Sequence, residues 1–453
     1  MCANGFHIQG GSMKIYRVSS FVVLAVFCAV SVIAGGKGEG ATRPQEIRFA
    51  HMWQEGASEE SEIALGLLNE LDRRNPEWTL THEVVTGDEM RNKIRVDVAA
   101  NNAPDIWQFW AGGVLKDYAD RGILADFREY IADSSRLYRD HIPEGAWDLV
   151  SFDGIPRALP RNVSIGVFGV NTELFERYGL EYPTTWAEFL ALGPAFREHG
   201  VTPTNIGSRG GNPSHFWYGD LVCQYEDGVT DTMMIGETLN TRTPAMIRAA
   251  EYVDQMRRAG MFPDDVIAWG DWAPSYALYE QGNTAMLYTF AWMFDDMSEE
   301  MVAKTELIPI PMVPDAERDT RGFIQGSVND AYTVAARSYA DANKRNALVQ
   351  LLDVIGKDIG HALSELGTIV SVDNEVMSRV DLDRIASPMM RKTLAYRIEN
   401  DMSGSPMIWQ NLPSNTLQFT YQALLDELWA GAITPAQYID RFQAALDEHR
   451  ANQ

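Results

Sequence analysis

Positive charge is scarce in this chain, and cysteine scarcer still. Lys and Arg number 38 against 63 Asp and Glu, a formal charge of −25 over 453 residues, and the basic residues cluster nowhere. A protein that grips a polyanion needs a basic stripe to displace counterions, so the balance argues against nucleic acid and against an anionic membrane surface. The acidity is read as solubility. Of the three cysteines, Cys2 and Cys28 fall in a segment read below as a removable leader. That leaves Cys223 alone and excludes an intramolecular disulfide. In Leu221-Val222-Cys223 it reads as a small buried hydrophobe. Catalytic motifs are missing too: there is no G-x-S-x-G, P-loop, H-E-x-x-H or C-x-x-C. The eight histidines are scattered, and His82-Glu83 is followed by Val84-Val85-Thr86, which misses the zincin spacing. Neither a metal nor a cofactor is expected.

What is present begins with an export signal. Lys14 and Arg17 precede the apolar run Phe21 to Ile33, too short to span a bilayer, and Val32-Ile33-Ala34 offers small residues for cleavage after Ala34. Residues before Met13 do not resemble a signal's charged region, so Met13 fits the true start. A lipid anchor at Cys28 is the competing reading, but Phe27 is bulky for the residue before a lipidated Cys. Losing Lys14 and Arg17 makes the remaining chain more acidic. Residues 35–45, which include Gly36-Lys37-Gly38-Glu39-Gly40, follow a leader rather than a strand and read as a flexible tether.

The length exceeds one typical core, so two lobes are expected. Glu46 to Trp53 reads as a strand. A helix over 58–74 follows, with Ser58 as N-cap, Glu59, Glu60 and Glu62 in its first turn, and Arg73-Arg74 in its last. A strand near Leu80 to Val85 precedes a helix carrying Met90, Ile94 and Val98 on one face. Asn101-Asn102-Ala103-Pro104 stops that helix, and a buried strand runs from Asp105 to Phe109. Trp110 then stands at the strand's carboxyl end, where α/β sheets bind ligands. Farther on, Asp153-Gly154 marks a hairpin, and one long strand is read after Pro160 through Val163, Ile165, Val167 and Val170. Thr185 and Glu188 form a capping box, with Trp186 assigned to the core. Thr243 caps a helix over 244–259, and Thr434 with Gln437 caps the last one. Ile308-Pro309-Ile310-Pro311-Met312-Val313-Pro314 is too proline-rich for a central strand and reads as a crossing between lobes.

Asn102-Ala103-Pro104-Asp105-Ile106, then Trp110-Ala111-Gly112-Gly113, then Tyr118 to Phe127 resembles the extracellular solute-binding proteins of bacterial ABC importers. The likeness is to the large sugar-binding group that includes maltose and raffinose binders. The tract Asp153 to Pro160, Val170-Asn171-Thr172-Glu173-Leu174-Phe175 and Tyr182 to Phe189 continue it in order. The resemblance implies a two-lobed α/β periplasmic-binding-protein fold, type II-like, each lobe a mixed sheet flanked by helices, joined by three crossings, the third near Gly367 to Val372. The expected N-terminal lobe is 46–161 with 315–367, and the C-terminal lobe 162–314 with 368–453. It further implies a monomer outside the cytoplasm that delivers a carbohydrate to ABC permease subunits.

A sugar offers apolar C–H faces and a rim of hydroxyls, so tryptophan beside carboxylates and amides is the combination that holds it. Of the twelve Trp, most belong to cores. The resemblance favours Trp53, Trp110, Trp217, Trp292 and Trp409 as ligand contacts, with Glu55, Asp88 and Asn329 as weaker polar candidates. Two other ligands stay open within the fold. Glycerol phosphates would use Arg161 and Arg209, and a polyamine would need acids among the aromatics. A secreted glycoside hydrolase with paired carboxylates is the rival from another class.

Overall fold

The computed structural model describes residues 44–132, 138–205, 207–226, 239–269, 272–294, 297–321, 323–326, 328–400, 403–405 and 408–452, without side chains at 88, 138, 139, 212, 323–325 and 403–405. The leader, Cys28 and the tether through residue 43 lie outside these. The chain opens with β1 (Gln45–His51), α1 (Glu59–Arg74), β2 (Trp78–Val84), α2 (Asp88–Ala99) and β3 (Ile106–Trp110). Ser58 caps α1 by accepting from the Ser61 amide, with three acids in the first turn and two arginines in the last. Both β2 and β3 pair with β1 in parallel. On its side away from β1, β3 neighbours the strand Asp330–Val334, antiparallel to it, and Ala158–Pro160 completes this five-stranded sheet. Its hydrophobic cluster takes Met90, Ile94 and Val98 from α2, then Leu348, Leu351 and Leu352 from a helical stretch that starts at Ala342.

A second sheet has four strands in the order Thr305–Ile308, Gly166–Asn171, Thr284–Phe290 and Thr202–Thr204. Its cluster includes Trp186, Phe189, Met246, Val253 and Phe442, and both expected capping boxes are formed. Cys223 is buried. At the hairpin, Asp153 (φ 51°) and Gly154 (φ 71°) both occupy the left-handed region that a two-residue turn of this twist requires.

The single long strand read after Pro160 does not form. Ala158–Pro160 ends in the first sheet, Asn162–Val163 pairs with Val370–Ser371, and Gly166–Asn171 belongs to the second sheet. The stretch changes partner twice because it passes from one sheet to the other. All six residues of Gly166–Asn171 are buried, as in a central strand covered on both faces, so alternation was the wrong template.

Candidate ligand-binding site

Because β1 and β3 are parallel, their carboxyl ends share one edge of the first sheet. Met52 and Trp53 follow β1 there, and Trp110 closes β3. The antiparallel partner pairs Asp330 with Trp110, so its amino end brings Asn329 and Asp330 to the same edge. Within Ile106–Trp110 the pleat sorts the side chains. Trp107 and Phe109 are fully buried in the core, whereas Gln108 and Trp110, of the other parity, line a cavity.

That cavity has a volume of about 490 Å³. Its first wall is knit around Asp330. Arg161 Nη2 donates to Asp330 Oδ2 at 2.5 Å, and Gln108 Nε2 donates to the same oxygen at 3.2 Å. Asn329 Nδ2 reaches Oδ1 at 3.2 Å. Gln108 Oε1 in turn accepts the Met52 amide at 3.1 Å. Arg161 lies 5.6 Å from the centre of the Trp53 ring and 5.7 Å from that of Tyr332, and the two rings stack 6.1 Å apart. Burial opposes the Arg161 charge, but the fields of Tyr332, Asp330 and Glu60 and the Asp330 hydrogen bond hold its pKa above the ordinary arginine value. The Trp53 indole donates to Glu60 Oε1 at 3.3 Å.

The second wall comes from three elements of the other cluster. The hairpin Ser208–Arg209/Asn212–Pro213 runs into the helix Ser214–Cys223, which supplies His215 and Phe216. The strand Thr284–Phe290 leads to Trp292, whose ring stacks on Phe290 at 4.6 Å and 13° and meets Trp272 edge-on at 5.7 Å. Trp409, from Ile408–Asn411, stands edge-on to Trp110 at 6.0 Å. So rings from both walls touch.

Beside that contact Arg91 bridges the walls. Its guanidinium donates to Gln418 Oε1 at 2.8 Å and lies 5.3 Å from the Trp110 ring and 5.4 Å from Trp409. The Trp110-Ala111-Gly112-Gly113 word gains a physical reason here. A Cβ on Gly112 (φ +95°) would stand 2.5 Å from the Gln410 carbonyl oxygen, and one on Gly113 would stand 2.7 Å from those of Asn411 and Leu412. Only glycine allows the two backbones so close.

Of the residues singled out in the sequence, Trp53, Trp110, Trp292, Asn329 and Trp409 line this cavity. Trp217 does not. It is fully buried, stacked on Phe189 at 5.6 Å and edge-on to Phe168, and its neighbour Phe216 takes the cavity position one helical step away. Glu55 is exposed and is not among the residues lining this cavity, whereas Glu60, at the start of α1, faces it. The Asp88 side chain lies outside the described residues. Sequence reasoning also missed Gln108, Arg91 and Asp330 as lining groups. The signal for Gln108 was available, since it shares the parity of Trp110.

Residues 57–352 match the profile of the family described as bacterial extracellular solute-binding protein. The chain is 25% identical over 296 residues to a "Probable sugar-binding periplasmic protein" of Rhizobium meliloti (strain 1021), a match spanning 64% of this chain and 66% of that protein. Among solved structures, one from work on xylan utilization by the thermophilic bacterium Caldanaerobius polysaccharolyticus superposes with a TM-score of 0.77 at 22% identity, over 88% of this chain and 99% of that one. A chitin oligosaccharide binding protein gives 0.75 at 15% identity, over 89% and 99%. At such identities the structural likeness establishes the two-lobed α/β fold.

Proposed function

Since the chain belongs to the bacterial extracellular solute-binding protein family, we propose that it is the carbohydrate-binding component of an ABC importer. It works outside the cytoplasm as a monomer, exported by the leader 1–34, and hands a mono- or oligosaccharide to the permease. The observation that carries this reading is the cavity wall itself. Trp53, Trp110, Phe216, Trp272, Trp292 and Trp409 surround one space together with amide and carboxylate groups. That is the lining a ring with apolar faces and a hydroxyl rim requires. The sugar-binding name of the Rhizobium relative supports it.

The lobes assigned are 46–161 with 315–367 and 162–314 with 368–453. Their hinge lies near Pro160–Asn162, Ile310–Asp315 and Gly367–Val372. The pairing of Asn162–Val163 with Val370–Ser371 supports two crossings moving as one ribbon. Sugar contacts both walls only when they close, so it draws the protein towards the form the transporter reads. The rival ligands are less well served. Of the two arginines a phosphate would use, Arg161 is paired with Asp330 behind the wall and is not among the lining residues, so Arg209 alone of the two lines the cavity. Asp330 is engaged by the same pair, which leaves few free acids for a polyamine.

The test is a thermal-shift panel of neutral xylo-, chito- and malto-oligosaccharides, with chromatography of each mixture. At least one sugar should raise the melting temperature and be recovered unchanged. Hydrolysis products at stoichiometric turnover would instead establish a glycoside hydrolase. Trp110→Ala should weaken binding of that sugar by roughly 1–3 kcal/mol, the range for burying a large apolar side chain, with little change in melting temperature. A collapse of stability with normal affinity would make Trp110 a core residue.

A further inference from the structure

His215 Nε2 is buried at the cavity and has no hydrogen-bond partner among the described residues; Trp409 Nε1 shares that state, but an indole N–H can only donate. His215 is 4% exposed and lines the cavity between Phe216, 3.9 Å away ring to ring, and Trp409, edge-on at 5.8 Å. The other ring nitrogen, Nδ1, is 2.7 Å from the Gly211 carbonyl oxygen. A carbonyl can only accept, so the proton of the neutral ring sits on Nδ1 and Nε2 carries a lone pair. We propose that His215 Nε2 is a dedicated acceptor for a ligand hydroxyl, which makes this end of the site selective for an uncharged hydroxylated sugar over an amino sugar. The inference rests on the carbohydrate reading above and deepens it.

The acceptor is held in place from behind. The Asp426 carboxylate accepts the Ser208 hydroxyl at 2.7 Å and the amides of Gly210 and Gly211 at 2.7 and 2.9 Å. This clamps the hairpin turn whose Gly211 carbonyl fixes the His215 tautomer. Gly211 (φ +73°) could carry no side chain, because a Cβ would stand 2.8 Å from Gln422, another lining residue. Asp426 is thus a positioning residue, acting through Gly211 on His215.

Charge at the site points the same way. Arg91 and Arg209 line the cavity with His215, and burial, with Arg91 adding to it against the Gly211 hydrogen bond, brings the imidazole pKa down to about 3. The open lone pair welcomes a hydroxyl hydrogen, and Arg91, whose field reaches His215, opposes an ammonium at this end of the cavity, the carboxylates of Glu60 and Asp330 standing on the first wall. A buried acceptor left without its hydrogen bond is costly, so satisfying it discriminates between a hydroxyl and its deoxy analogue.

The decisive measurement is the imidazole ¹⁵N spectrum of the wild-type protein, taken with and without the neutral sugar that gives the largest shift in the panel. His215 should show an unprotonated Nε2 from pH 8 to pH 5, and that resonance should move upfield on binding. His215→Phe should bind the same sugar roughly tenfold more weakly, as for a hydrogen bond at a desolvated site, while His215→Gln, which returns an acceptor, recovers part of the loss. Asp426→Asn should weaken binding and broaden the His215 resonances. An Nε2 that carries the proton, or one that ignores a sugar which does bind, overturns the inference and leaves the carbohydrate reading standing. If His215→Phe fails to fold, the wild-type spectrum still decides. If no neutral sugar binds the wild type, the carbohydrate reading fails and this inference falls with it.

Discussion

Asp330→Ala is expected to destabilise the protein by about 3–5 kcal/mol, the cost of leaving a buried charge without its partner. Arg161 is 2% exposed, and its Nε and Nη1 have no hydrogen-bond partner among the described residues. The guanidinium therefore depends on Asp330 Oδ2 at 2.5 Å and on the faces of Trp53 and Tyr332. Urea unfolding should show a lower midpoint with an unchanged slope. The pair as a whole is worth far less than either half. Arg161→Met with Asp330→Leu should recover much of the loss, because replacing a buried ion pair by apolar residues of similar size is often close to neutral. A small effect of Asp330→Ala alone would show that water reaches Arg161. Sugar affinity should fall in Asp330→Ala even where the protein folds, because Gln108 and Asn329 lose the carboxylate that orients them.

The Asp330 cluster also marks the limit of what the sequence could tell. Elements governed by local chemistry were legible. The Ser58 cap with its acidic first turn, the Thr185/Glu188 and Thr434/Gln437 boxes and the Asp153-Gly154 turn each depend on residues within a few positions. The site was legible where the fold's geometry is simple: Trp53 and Trp110 follow parallel strands, so they meet at one edge. What was not legible depends on partners far along the chain. Whether Phe216 or Trp217 faces the cavity is decided by a rotation of about 100° on a helix, and the arbiters, Phe189, Tyr288 and Phe290, lie outside that helix and far along the chain. His215 gains meaning only from Asp426, more than 200 residues away, acting through Gly211. The stretch after Pro160 misled because Val163 and Gly166 belong to different sheets, and apolar alternation carries no mark of where a strand changes partners.

Acid should unfold this protein earlier than its carboxylates alone would dictate, and two buried imidazoles set the window. His51 and His215 both have their pKa brought down from 6.5 to about 3, chiefly by burial, with His82 adding to the effect on His51. Between those values the unfolded chain binds protons that the folded protein refuses, so stability falls as pH falls from about 6.5 towards 3 and is fully present above 6.5. At 1.36 kcal/mol per pKa unit, each group contributes a loss of roughly 3 kcal/mol by pH 4. His82, also lowered by burial although Asp72 opposes it, adds in the same direction. Geometry explains the refusal by His51. Its Nδ1 accepts the Trp53 amide at 3.2 Å, so the proton sits on Nε2, which donates to His82 Nδ1 at 2.8 Å. A second proton on either ring would set N–H against N–H and release the backbone that carries Trp53 to the cavity. Urea midpoints at pH 7, 5.5 and 4 should decline steeply at constant slope. His215→Phe should flatten part of that decline, because a phenyl ring binds no proton in the unfolded state. Equal midpoints at pH 7 and pH 5 would mean that these imidazoles take up protons in the folded protein, and the hydrogen-bond chain from Trp53 through His51 to His82 would then be wrong.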